Sequence, residues 1–186
     1  VYGFARALLK VLREYEPEYV SAVFDAPGKT FREEMYAKYK ANRPEPPKEL
    51  TIQIPMAIHL VESLQIPHIF IEGYEADDIL ATLSEKAKNE NYEVVLVSGD
   101  KDIMQLICSD IQMYDPYKGE NGKWYSEKDV WERFGTDPQH VPDALALIGD
   151  SADNVPGVPG IGDKTAKKLM EKYCSLENLY KHLDEI

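Results

Sequence analysis

Cysteine is scarce in this chain: Cys108 and Cys174 are the only two among 186 residues. Two isolated thiols supply neither a disulfide framework nor a metal-ligand spacing, and they suit a reducing cytoplasm. The four histidines, His59, His68, His140 and His182, are scattered, so a zinc site is a poor expectation. No apolar run approaches membrane-spanning length, and no signal-peptide pattern opens the chain. Internal repeats and low-complexity tracts are absent. With 44% hydrophobic residues and aromatics that are mostly tyrosine, general disorder is not expected. The length allows one good core, with room for a small second lobe.

Positive charge is also in deficit. The net charge of −12 argues at first sight against a nucleic-acid partner. The distribution of charge weakens that exclusion. Lys29, Arg32, Lys38, Lys40, Arg43 and Lys48 lie together against only Glu33, Glu34 and Glu45. A second basic stretch holds Lys164, Lys167, Lys168 and Lys172 against Asp163 and Glu171. Bound divalent cations would offset much of the remaining negative charge.

Periodicity gives the organisation. Residues 4–15 carry apolar positions at helical spacing, closed by Pro17. A buried-strand pattern runs from Tyr19 to Phe24. Residues 30–40 read as a basic, aromatic-laced helix broken by Arg43-Pro-Glu-Pro-Pro47. Residues 51–64 predict a helix with Pro55 in or near its first turn. A strand at 66–71, a helix at 76–88, a strand at 93–98, a helix at 101–107 and a strand at 111–114 follow. Strands alternating with helices predict an α/β fold with a mostly parallel sheet flanked by helices. From about Ser126 the strand signal stops, and the remainder reads as a helical lobe of short helices joined by Gly/Pro turns. The chain opens on a helix rather than a strand, which reads as a sheet with one neighbour missing.

What the chain has in abundance is clustered carboxylates, in four short groups of which three follow an apolar run. Asp25 ends Val23-Phe24-Asp25. Glu75, Asp77 and Asp78 cluster ahead of Ile79. Asp100 and Asp102 follow Val94-Val-Leu-Val-Ser-Gly99, and Asp150 with Asp153 lies in a polar turn after Leu145-Ala-Leu-Ile148. Residues at the carboxyl ends of parallel strands face one crevice. Two carboxylates about 4 Å apart there repel by roughly 4 kcal/mol at an effective dielectric near 20. Hard divalent cations between them, held by oxygen ligands, are the simplest explanation. Each cluster alone has a plainer reading: Asp100 and Asp77 as helix caps, Asp150 and Asp153 as a solvated turn. Those plainer readings would have to hold four times over.

Two further segments carry a signal. In Gly157-Val-Pro-Gly160-Ile-Gly162-Asp-Lys-Thr165 the glycines permit a sharp turn, and the helix that follows offers free N–H groups to a phosphate. The alternative is a simple helix–turn–helix joint. The loop lacks the Walker pattern and follows no strand, so nucleotide binding is not expected. Between Lys29 and Arg43, Phe31, Tyr36 and Tyr39 alternate with Arg32, Lys38 and Lys40. That mixture suits single-stranded nucleic acid, and equally an ordinary solvated helix with inward tyrosines.

Six motifs in order resemble one family: Val23-Phe-Asp-Ala-x-Gly-Lys-Thr-Phe-Arg32, Tyr39-Lys-x-x-Arg43-Pro, Gly73-Tyr-Glu-Ala-Asp-Asp-Ile79, Ser98-Gly-Asp-Lys-Asp-Ile-x-Gln-Leu106, Ala146-Leu-Ile-Gly-Asp-Ser-x-Asp-Asn154 and Pro156-Gly-Val-Pro-Gly-Ile-Gly-x-Lys-Thr-Ala166. The chain looks like the 5′-nuclease domain of bacterial DNA polymerase I, within the flap endonuclease superfamily. The resemblance implies a PIN-like α/β core over residues 1–125, with a basic helical arch at about 28–48. It further implies a helical lobe over 126–186, with a helix–hairpin–helix at about 155–173. Two-metal hydrolysis of phosphodiester bonds is implied, with Mg²⁺ as the ion, Mn²⁺ as the alternative, and K⁺ at the hairpin in some relatives. Asp25, Glu75, Asp77 and Asp78 would serve the first ion, and Asp100, Asp102, Asp150 and Asp153 the second. Arg32 and Lys40 resemble the residues that meet the scissile phosphate. Lys29, Tyr39, Arg43, Gly157, Gly160, Gly162, Lys164, Thr165 and Lys168 fall on the DNA-binding segments. The implied partners are 5′-flap and nicked DNA, RNA primer strands and a polymerase domain in the same native chain, with no membrane. The implied location is the bacterial cytoplasm, at the nucleoid.

The family opens on a strand ending in a metal-ligand aspartate, and the present sequence starts after it. The expectation is therefore of a truncated fragment with impaired catalysis. A DNA-structure-binding module without catalysis is the rival, and tight binding of uncut flap DNA in Mg²⁺ would reveal it. A third reading uses Asp100 and Asp102 as a nucleophile pair on small phosphate esters. The basic arch and hairpin argue against it.

Overall fold

The structure, a computed structural model, describes residues 1–185. The chain divides into two compact units, residues 1–35 with 43–80, and residues 36–42 with 81–186.

The first unit opens on helix α1 (Tyr2–Tyr15), ended by Glu16 in a left-handed conformation ahead of Pro17. Strand β1 (Ala22–Val23) is much shorter than its apolar pattern. Helix α2 (Phe31–Met35) follows, then α3 (Lys48–Ser63) and β2 (His68–Ile69). β1 and β2 pair in parallel, Ala22 against His68 and Val23 against Ile69. The backbone N–H of Phe24 extends the ladder to the Ile69 carbonyl. Val61 and Ile66 are buried here, whereas Leu50, Ile52, Ile54 and Met56 are exposed.

Two expectations change in this unit. The helix foreseen over 30–40 stops at Met35, because residues 36–42 are drawn into contacts of their own, described below. Helix α3 starts at Lys48, directly after Pro47, so Pro55 lies inside it rather than in its first turn. Proline has no N–H to donate to the carbonyl four residues back. Residues 51–56 are exposed, so water has access to this turn of the helix.

Helix α4 (Ala76–Asn89) passes from one unit into the other. In the second unit β3 (Val94–Val97) pairs in parallel with β4 (Ile111–Asp115). The helix foreseen at 101–107 is a 3₁₀ segment, Lys101–Leu106. Strand β5 (Lys123–Tyr125), which periodicity does not reveal, pairs antiparallel with β4. The sheet order is β3-β4-β5. Leu96, Ile103, Met104, Ile111, Met113 and Tyr114 are buried around it.

The helical lobe is built from α5 (Glu127–Phe134), α6 (Val141–Ile148), α7 (Asp163–Tyr173) and α8 (Leu176–Tyr180). Val130, Phe134, Ala144, Leu147, Ala166 and Met170 form its core. Burying a side chain such as Phe134 or Met170 contributes about 1.5–3 kcal/mol. Between α6 and α7 lies a two-residue antiparallel ribbon, β6 (Gly149–Asp150) with β7 (Val155–Pro156). Nothing in the apolar pattern foretells it, and it shapes the candidate site. No helix among the described residues is long and apolar enough to cross a membrane.

Candidate metal centre

The first acidic cluster grows from the junction of β1, β2 and the start of α4. Asp25 stands two residues beyond β1, and its Oδ1 accepts the Ala76 N–H at 2.7 Å. A strand-end carboxylate thereby fixes the first turn of a helix 51 residues away, where the dipole favours negative charge. Asp78 reaches back to the Glu75 N–H at 3.0 Å. Asp77 lies beside it in the first turn.

Arg32 enters this cluster from α2. Its guanidinium forks onto Asp78, with Nη1 at 2.7 Å and Nη2 at 2.8 Å, and Nη1 lies 3.7 Å from Glu75 Oε2. The same guanidinium stacks on the Phe31 ring at 4.7 Å. The Phe31 N–H donates to the Gly73 carbonyl, and the Phe31 and Tyr74 rings lie 5.7 Å apart. The family resemblance has Arg32 facing phosphate. In this structure it faces Asp78.

The second cluster is held wholly in the second unit. Asp100, three residues beyond β3, caps the 3₁₀ segment: its Oδ1 accepts the Asp102 N–H at 2.9 Å. Its own N–H donates to Ser98 Oγ. Asp150 leads the turn between β6 and β7. Its Oδ1 accepts the N–H groups of Ala152 and Asp153, and its Oδ2 accepts from Lys101 Nζ at 2.6 Å. Lys101 also donates to Asp102 Oδ1 at 3.0 Å, which bridges two carboxylates 48 residues apart in sequence.

The two bridged carboxylates respond in opposite directions. Burial pushes the Asp102 carboxyl above its ordinary value, and Lys101 only partly offsets this. Burial acts on Asp150 too, but Lys101 and the two backbone donors outweigh it, so that carboxyl is lowered. For Lys101 burial works against the charged form, and the bonds to Asp150 and Asp102 more than compensate.

Asp153 anchors the segment 36–42. Its Oδ2 accepts the Tyr39 hydroxyl at 2.9 Å, with Lys40 Nζ 3.9 Å away. The Lys40 N–H donates to the Asp153 carbonyl. Asn42 donates to the Ser151 carbonyl and Asn154 to the Lys38 carbonyl. Lys40 adopts a left-handed φ of 54° to meet these partners. This clasp is why the helix ends at Met35.

Lys29, Arg43, Gly160, Gly162, Lys164, Thr165 and Lys168 are exposed, and Gly157 is half-buried. Gly162 caps α7, and the Thr165 and Ala166 N–H groups turn back to its carbonyl. One carboxylate escapes a reading of the sequence. Asp115 ends β4, is buried, and would meet a side chain at Gly99 at 3.1 Å. Its signal is the one that marks Asp25 and Asp100: an acid closing an apolar run.

Among the described residues, no three His, Cys, Asp or Glu side chains gather closely enough to form a ready cation cage. The repulsion expected of convergent carboxylates is met locally, by Arg32, Lys101 and backbone N–H groups. The donor set still fits a hard divalent ion. It is all oxygen, and Mg²⁺ takes one or two carboxylates, completing its octahedron with water and substrate phosphate.

Comparison with known proteins agrees with this architecture. The family profile for the 5'-3' exonuclease N-terminal resolvase-like domain matches residues 1–135, and that for the 5'-3' exonuclease C-terminal SAM fold matches residues 136–186. A 5'-3' exonuclease of Aquifex aeolicus is 41% identical over 185 residues, covering all of this chain and 63% of the relative. The thermostable DNA polymerase I of Thermus thermophilus is 43% identical, covering all of this chain and 22% of that protein. The chain thus spans less than two thirds of these relatives. The fold matches the bacteriophage T5 flap endonuclease in its pseudo-enzyme-product complex with DNA and metal ions. That match has a TM-score of 0.79 at 21% identity, over 96% of this chain and 68% of that one. With both of its profiles matched in order across all 186 residues, the chain belongs to the 5'-3' exonuclease family.

Proposed function

We propose that this chain is the catalytic portion of a divalent-metal-dependent, structure-specific 5′-nuclease. It hydrolyses phosphodiester bonds in 5′-flap or nicked DNA and in RNA primer strands, during replication and repair in the bacterial cytoplasm at the nucleoid. Residues 1–125 are its nuclease core and 126–186 its duplex-gripping helical lobe. The observation that carries this reading is the second acidic cluster. Asp100, Asp102, Asp150 and Asp153 sit at a strand end and a tight turn, with Tyr39 and Lys40 tied to the same turn. The DNA and metal ions held by the T5 relative support it.

The residues divide the work by chemistry. Asp25, Glu75, Asp77 and Asp78 would hold one ion, and Asp100, Asp102, Asp150 and Asp153 another, Mg²⁺ or Mn²⁺ by their oxygen-only character. When bound, such ions supply Lewis acidity and an acidified water for in-line attack on phosphorus. Lys40 and Arg32 offer positive charge to the phosphate as its negative charge develops. Lys29, Tyr39 and Arg43 meet the strand by stacking and phosphate pairing. Gly157, Gly160 and Gly162 let the backbone approach duplex, with K⁺ at the hairpin. Lys164, Thr165 and Lys168 add phosphate contacts at the start of α7.

Cleavage of a labelled 5′-flap duplex in Mg²⁺, beside an Asp100→Ala variant, tests the proposal. Junction cleavage that the variant loses supports it. Cleavage that survives the substitution removes Asp100 from the centre. Tight binding without cleavage in either protein makes the chain a DNA-structure-binding module.

A further inference from the structure

Lys101 belongs to none of the roles assigned so far, yet it makes two short side-chain contacts in the second acidic cluster. Its Nζ lies 2.6 Å from Asp150 Oδ2 and 3.0 Å from Asp102 Oδ1. Asp150 Oδ1 is already engaged by the Ala152 and Asp153 N–H groups. Oδ2 is therefore the oxygen that Asp150 presents to a cation, and Lys101 is on it. The Lys101 and Asp102 side chains are each about one third exposed, at 33% and 35%, and Asp150 is 20% exposed. Water and small ions thus have access to the pair.

The chemistry of the two internal cations differs. Arg32 grips Asp78 through two parallel bonds from a planar fork, so turning to a phosphate means giving up both at once. Lys101 is a point charge on a flexible stem and makes one contact to each oxygen. A Mg²⁺ ion approaches a carboxylate oxygen to about 2.0–2.1 Å. An ammonium held on that same oxygen would then face a like charge of twice its size at very short range.

We propose that Lys101 is an exchangeable counter-cation of the Asp102–Asp150 pair. It holds the two carboxylates together, and a divalent ion binding them drives it off. The inference rests on the metal-centre reading above and deepens it. Lys101 acts through the carboxylates, as a positioning residue that weakens ion binding while keeping the site assembled.

The test uses the full chain and needs no cleavage assay. Amines are acylated at limiting reagent with and without Mg²⁺, and each lysine is followed by mass spectrometry. Modification of Lys101 rises severalfold with Mg²⁺, while that of Lys164, exposed at the start of α7, stays constant. In parallel, Mn²⁺ binding is titrated by calorimetry. Partners around a metal site change affinity by roughly 10–100-fold, so Lys101→Met binds Mn²⁺ on the order of tenfold more tightly, and Lys101→Arg, which keeps the charge, binds it no more tightly than the parent. Constant acylation of Lys101, or Mn²⁺ binding that is unchanged or weaker in Lys101→Met, overturns the exchange while leaving the metal centre standing. A parent chain that binds no Mn²⁺ at all removes the metal centre itself. The acylation arm uses the unsubstituted protein, so it decides even if a variant folds poorly.

Discussion

Gly149 joins α6 to the turn that carries Asp150 and Asp153, and replacing it with alanine strikes that turn without touching a carboxylate. Its backbone angles are φ 78° and ψ 179°, a region that is nearly glycine-only and costs other residues about 1–3 kcal/mol. A Cβ there would lie 2.7 Å from the Val155 carbonyl oxygen and closer still to the Gly157 amide nitrogen. Both are backbone atoms and cannot swing aside. Forcing the β6–β7 ribbon apart adds about 1–3 kcal/mol, so Gly149→Ala loses about 2–6 kcal/mol. That is a large fraction of the roughly 5–15 kcal/mol available to an ordinary domain. Gly160 is the control: it too has a positive φ, +85°, but a Cβ there meets nothing within 4 Å. Gly160→Ala isolates the conformational strain. Urea unfolding of both variants, with Mn²⁺ titration of each folded protein, separates packing from strain. Gly149→Ala unfolds at lower urea than Gly160→Ala and binds Mn²⁺ more weakly. Equal midpoints with parental Mn²⁺ affinity in both would refute the claim that close backbone packing at Gly149 shapes the turn.

Two other perturbations read different parts of the chain. Arg32→Lys keeps the charge but loses the fork onto Asp78 and the stacking on Phe31. It should destabilise the protein by about 1–2 kcal/mol, visible as a lower melting temperature, and an unchanged melt would show that charge alone suffices. Asp129, at the start of α5, is partly buried, which raises its pKa. Lys123 at 2.8 Å and the Ser126 N–H and hydroxyl outweigh this and lower it from 3.8 to about 2. A carboxyl whose pKa is depressed by folding stabilises above its unfolded value, near 3.8, and loses that contribution as pH falls through about 2. After solvent screening the contribution is about 1 kcal/mol. Asp129→Asn should therefore be less stable by that amount at neutral pH and converge with the parent near pH 2, followed by thermal melts across that range. A constant gap between the two would contradict the assignment.

Elements with a strong apolar period are legible in the sequence. α1, α4, β3 and β4 lie close to where the pattern puts them, because burial on one face dictates both the period and the element. β6 and β7 are not legible. Two residues carry no period, and this ribbon is set by backbone proximity around Gly149 and Gly157. The segment 36–42 misleads for a related reason. Its local pattern is helical, but hydrogen bonds to Asp153, Ser151 and Asn154, more than a hundred residues on, take its backbone elsewhere. The acidic positions are visible and their partners are not. Nothing local in the sequence links Arg32 to Asp78 or Lys101 to Asp150.

The sequence also poses a choice between capping and ligation at Asp25, Asp100 and Asp150, and the geometry dissolves it. A carboxylate has two oxygens. Asp150 uses Oδ1 to close its own turn and Oδ2 to meet a cation. Asp25 and Asp100 likewise give Oδ1 to a backbone N–H, of Ala76 and Asp102 respectively. A side chain fixed by one oxygen has already lost the rotamer freedom that binding would otherwise remove. The second oxygen is then held in a defined place. Capping is thus how a chain with a net charge of −12 can keep ordered carboxylates at strand ends and tight turns. The helix starts and turns that orient these acids also supply the N–H groups that make their negative charge tolerable before any ion arrives.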